Sequence, residues 1–147
     1  MPSIKYRSLN IFCRLLALVV AGIFIYAGAL KMLDPVQFAH DVKNFQILPW
    51  PISVALAFYL PWLEIFCGFG LIFGFFYRGA ISILAVLIVV FTLATAAARV
   101  RGLDITCGCF GHASQHWSFP AHLATNLGIL AALLALWFSN RLARRRM

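Results

Sequence analysis

The sequence predicts an all-α integral membrane protein, a four-helix bundle with a short amphipathic helix at its outer surface. Three observations predict it. Of 147 residues, 63% are hydrophobic and only 11% are charged, far from the near-even apolar and polar split of a soluble domain. Four apolar runs, at residues 9–30, 52–76, 80–98 and 120–140, are each close to the ~20 residues that carry a helix across a hydrocarbon core. Lys and Arg flank those runs instead of covering a polar surface. The runs occupy most of the chain, so residues 1–147 read as a single domain whose chemistry must sit in short loops or between helices.

The first run reaches roughly 33 Å as a helix, enough to span. A cleaved leader is the competing reading, because Lys5 and Arg7 form a basic start and Ala27, Gly28 and Ala29 a small-residue pattern. The run is long for a leader, however, and its removal would leave three spans with their ends on opposite sides. Asp34 followed by Pro35 then predicts a helix start, a side-chain acceptor for free amides ahead of a residue with φ already set. Phe38, Val42 and Phe45 recur at helical spacing, with His40, Asp41, Lys43 and Asn44 on other faces, so this segment is expected to lie flat on the membrane surface. Pro49, Trp50 and Pro51 end it, and Trp50 suits the interfacial level.

The second span contains Pro61, expected to kink the helix, and Glu64, and it carries Gly70 and Gly74 four residues apart. Tyr77, Arg78 and Gly79 are read as the tight turn to the third span. A polar loop from Arg99 to Phe119 leads to the fourth, where Ala124, Gly128 and Ala132 again recur every four residues. Small residues in this pattern let helices approach closely, so the second and fourth spans are expected to be the packed pair.

Charge sets the orientation. The N-terminal segment, the Arg78 turn and the C-terminal tail with Arg141, Arg144, Arg145 and Arg146 hold eight Lys or Arg and no acid, whereas the other two loops hold four beside three Asp. Both termini are therefore expected in the cytoplasm of a bacterial-type inner membrane, with all four histidines and a cysteine pair at the outward end. The net charge of +8 is then anchoring charge against anionic membrane lipid, and no nucleic acid is expected as a partner.

Cys107-Gly108-Cys109-Phe110-Gly111 is the most informative string. Gly108 lets the backbone bend enough for two thiols two residues apart to meet. So small a disulfide ring departs from relaxed geometry, which favours exchange over stapling. As a staple it would remove almost no loop entropy. Arg99 and Arg101 would favour a thiolate, and outside the cytoplasm a disulfide can persist. Cys107, Cys109, His112 and His116 also form a nitrogen and sulfur donor set compatible with zinc or cuprous copper, although the two-residue gap is short for tetrahedral zinc. Two inert thiols in a turn is the plain structural alternative.

Glu64 falls near the middle of its span, where an ionisable group is costly and faces a partner or a cavity. Proton relay or ligand binding competes there with a structural hydrogen bond to Asn126, Thr92, Thr95 or Tyr26. Lys31 can reach Glu64, but a lysine at a span end is expected first as a snorkelling anchor. Cys13 and Cys67 are read as small apolar groups of the inner half, with Cys67 one turn from Glu64.

Three segments, taken in order, carry a family resemblance: Gly28 to Pro35, Leu60-Pro61-Trp62-Leu63-Glu64 with Gly68, and Cys107 to Gly111. Through them the chain resembles the methylamine-utilisation MauE family within the DoxX-like group. The resemblance implies a four-helix inner-membrane protein that supports maturation of exported, disulfide-containing proteins beside a thioredoxin-like partner. It also implies that Cys107 and Cys109 form the redox element. By analogy with four-helix thiol oxidases, a quinone would take the electrons. The expected function is thus thiol-disulfide exchange at the outer face, with Cys107, Cys109 and Glu64 as the working residues. Two other classes compete with it: a metal-handling or small-molecule transport protein, and a non-catalytic assembly factor.

Overall fold

The computed structural model describes residues 4–102 and 118–144. Within them the chain forms α1 (Ile4–Leu33), α2 (Pro35–Asn44), α3 (Trp50–Phe73), α4 (Tyr77–Val100) and α5 (Phe119–Arg144). Four of these, all but α2, are long and apolar enough to cross a membrane. The expected multi-pass helical architecture is therefore present, with no strand among the described residues.

Antiparallel packing follows from side-chain pairs along the helices. Cys13 near the start of α1 meets Ser139 near the end of α5. Thr92 of α4 meets Asn126 of α5, while Arg78 at the start of α4 lies over Trp137 further along α5. The bundle thus has one end marked by Arg78 and another marked by Lys31. A core of Val20, Phe24, Leu71, Leu84, Leu133 and their neighbours fills the middle. A second cluster at the Lys31 end joins Phe38 and Val42 to Ala57 and Phe91.

One packing expectation is corrected. The most extensive helix contact is between α1 and α3, not between the second and fourth spans. Gly28 and Gly68 make it possible. A Cβ on Gly28 would lie 2.9 Å from the Pro61 carbonyl, and one on Gly68 would lie 2.6 Å from Ile25 Cγ1. A Cβ added at Gly74 or Gly128, by contrast, would meet nothing within 4 Å, and Gly70 approaches Ala80 of α4 and not the fourth span. The apolar face of the amphipathic α2 packs on α3 and the bundle end, leaving Phe38 2% exposed with Val42 and Phe45 also buried.

The turn between α3 and α4 also sits earlier than expected. Gly74 ends α3 in the left-handed region at φ 74, followed by Phe76 at φ 50, and α4 begins at Tyr77. A helix terminated this way needs a residue without a Cβ at that position. Pro61 lies inside α3 without ending it.

At the start of α2 the expected cap is present, with Asp34 Oδ1 accepting from the Gln37 amide at 3.0 Å and Pro35 in the first turn. Asp34→Ala is expected to cost about 1 kcal/mol. Thermal unfolding in detergent measures the loss, and amide exchange over Pro35–Asn44 should accelerate if the cap holds this helix in place.

Candidate functional site

Lys31 and Glu64 meet because of helix direction. Side chains lean toward the N-terminus of their own helix. Lys31, in the last turn of α1, therefore leans back into the bundle, while Glu64 leans toward the start of the antiparallel α3, the Lys31 end. Gly28 and Pro61 hold the two backbones close enough for the groups to touch one turn from that contact. Lys31 Nζ donates to Glu64 Oε1 at 2.6 Å, with side chains 1% and 3% exposed.

Both residues continue buried stripes. On α1 these are Ala17, Val20, Ala21, Phe24, Ala27 and Lys31, and on α3 Ser53, Ala57, Pro61, Glu64, Cys67 and Leu71. Lys31 is accordingly a core residue and not a snorkelling anchor. Glu64 takes Lys31 as its partner instead of Asn126, Thr92, Thr95 or Tyr26. Tyr26 is 56% exposed, whereas Asn126 donates to Thr92 Oγ1 at 3.2 Å. Since the Thr92 hydroxyl gives its proton to the Ile88 carbonyl at 2.6 Å, it must accept from Asn126, which fixes the amide orientation.

Aromatic rings complete the surroundings of the ammonium. Lys31 Nζ lies 5.2 Å from the Phe38 ring centre and 5.1 Å from that of Phe91, so α2 and α4 each present a ring to a cation held by α1. Ring faces attract a cation, by about 2 kcal/mol or more where water is excluded. The C-terminal end of α1 adds the negative end of its dipole. Phe38 gives α2 a second task, covering the pair at the bundle end.

Glu64 Oε2 is buried and has no hydrogen-bond partner among the described residues. A void of about 10 Å³ lies beside the pair, lined by Lys31, Glu64, Phe24, Ile88, Phe91 and Ile129, at the lower limit for a single water. A carboxylate with one oxygen engaged and one unengaged can pass a proton or hold a small hydrogen-bonding group. His122 is buried within α5, inside the fourth span, and was not singled out by motif. Its position in the first turn of a span was the available signal.

Cys67 is buried one turn from Glu64, and Cys13 is half-buried against Ser139 at 3.1 Å; both are free thiols. Gly68 packs against Ala21, eight residues from Cys13, which separates the two thiols by about 12 Å along the axis. They form no pair. Cys107, Cys109, His112 and His116 lie outside the described residues, and so do the disulfide and metal readings that rest on them. Among the described residues no cluster of three or more His, Cys, Asp or Glu is suited to a metal ion.

A family model described as methylamine utilisation protein MauE matches residues 9–139. Neither a curated protein nor a solved structure matches the chain.

Proposed function

Because the chain belongs to the MauE family, a membrane family associated with methylamine utilisation, we propose that it is an inner-membrane thiol-disulfide redox protein acting on exported proteins. Its kinship with the wider DoxX-like group, its single-domain organisation and its orientation, with both termini cytoplasmic and the Cys-Gly-Cys segment outside, belong to the same proposal. One observation carries it. The end of α4 and the start of α5, which the stretch with Cys107 and Cys109 links in sequence, lie at the end of the bundle that holds the buried Lys31–Glu64 pair.

In this reading the Cys107–Cys109 disulfide receives two electrons from the dithiol of a thioredoxin-like or nascent exported protein. A substrate thiolate bonds to one sulfur and releases the other. The second substrate thiolate then displaces the first bond, leaving a disulfide on the substrate and a dithiol here. Reoxidation sends two electrons and two protons to a quinone, as second substrate from the bilayer, giving the quinol. Glu64 moves a proton, with Lys31 holding its position. The oxidising direction is favoured because a reductant conduit needs a second thiol pair, and Cys13 and Cys67 do not form one.

Single Cys107→Ser and Cys109→Ser variants test the proposal in intact cells. One of them should accumulate a mixed disulfide with an exported protein, resolved by reductant, while the double variant traps nothing. Full function of the double variant, or purification of the native protein with stoichiometric zinc or copper on these residues, would overturn it.

A further inference from the structure

The opposite end of the bundle carries a second site, independent of the redox reading. An open cavity of about 750 Å³ lies between α1, the α3–α4 turn and α5, within the ~300–1,000 Å³ range of small-molecule sites. Its lining combines apolar side chains, among them Leu18, Ile72 and Leu136, with Arg14, Arg78, Ser139 and Asn140. Beside it Arg78 and Arg141 sit on the Trp137 ring, their guanidinium carbons 5.1 and 5.3 Å from its centre. That contact fixes two planar cations beside the cavity.

Among the described residues no side-chain carboxylate serves that end. The four acids are Asp34, Asp41, Glu64 and Asp104. Asp34 and Asp41 belong to the start and body of α2, Glu64 is paired with Lys31, and Asp104 follows the end of α4 in sequence. Arg14, Arg78 and Arg141 therefore gather at this end with no side-chain counter-charge among the described residues. A guanidinium held in this way matches a phosphate with two parallel hydrogen bonds, and the apolar lining residues match hydrocarbon.

We propose that this cavity binds one anionic phospholipid, its phosphate on Arg14 and Arg78 and the upper part of an acyl chain along Leu18, Ile72 and Leu136. Ser139 and Asn140 offer hydrogen bonds to the glycerol or headgroup. A resident lipid would add to the Cys13–Ser139 and Arg78–Trp137 contacts that join α1, the start of α4 and α5 at this end.

The protein, purified in a neutral detergent and mixed with equal amounts of phosphatidylglycerol and phosphatidylcholine, is examined by native mass spectrometry. One phosphatidylglycerol should be retained preferentially. Arg14→Gln and Arg78→Gln should each lower that preference about fivefold, and Arg101→Gln at the opposite end should leave it unchanged. Asn140→Asp, which supplies a carboxylate from within, should lower it as well, and unaltered helical circular dichroism shows that each variant is folded. Equal retention of both lipids, an equal effect of Arg101→Gln, or full displacement of the lipid by millimolar inorganic phosphate would overturn the proposal.

Discussion

Lys31→Met is expected to destabilise the protein by about 3–5 kcal/mol, because it leaves the Glu64 carboxylate buried without its counter-charge. Glu64→Leu should cost a similar amount, leaving the ammonium with only the Phe38 and Phe91 rings. The double variant should behave differently. Two apolar side chains of similar size remove both desolvated charges, and replacing a whole buried pair in this way is often neutral or stabilising by about 1–4 kcal/mol. Unfolding by titration with sodium dodecyl sulfate, followed by circular dichroism, gives all three values. A double variant as unstable as the single ones would show that Lys31 contributes through packing and not through its charge.

Such a result would bear directly on function. If the double variant is stable in the membrane yet inactive, the pair is retained for what it does and not for what it holds together. Glu64 has the features for this, one oxygen on Lys31 at 2.6 Å and the other unengaged. A purely structural carboxylate would be expected to use both.

Hydropathy made the four spans legible, since about 20 apolar residues need no further information to be read as a crossing helix. It did not place the α3–α4 turn. Phe75 and Phe76 are as apolar as the helices they separate, so only the backbone conformation of Gly74 marks the end of α3. The packing partners were obscure for a related reason: small residues recur on several of these helices, and the pattern does not say which stripes face each other. Phase was the better guide. Lys31 lies seven residues after Phe24 and three after Gly28, on the buried side of α1, and Glu64 lies three after Pro61 on the buried side of α3. Read together, those offsets place a cation and an anion on facing stripes, whereas each alone resembles an anchor or an isolated buried acid. The cation sites on Phe38 and Phe91 depend on how α2 folds back, which no local pattern in α2 or α4 encodes.

The contact that brings the pair together makes the second large prediction. Gly28→Ala would place a Cβ 2.9 Å from the Pro61 carbonyl and 2.8 Å from Ile65 Cγ1. The carbonyl belongs to the backbone and cannot rotate away, so α1 and α3 must separate. Overpacking of this kind costs about 1–3 kcal/mol even though alanine is the better helix former. Gly68→Ala should cost less, because its nearest neighbour is the flexible Ile25 side chain and the Ala21 carbonyl stands at 3.2 Å. Gly128→Ala, with nothing within 4 Å, should be neutral or stabilising by about 0.5–1 kcal/mol. The same detergent titration ranks the three. Separation of α1 from α3 also lengthens the Lys31–Glu64 contact, so the cost of Gly28→Ala should shrink when it is added to the apolar double variant, where no ion pair remains to be stretched. Strict additivity would mean that the close helix contact and the ion pair are energetically independent, contrary to the geometry that places them one turn apart.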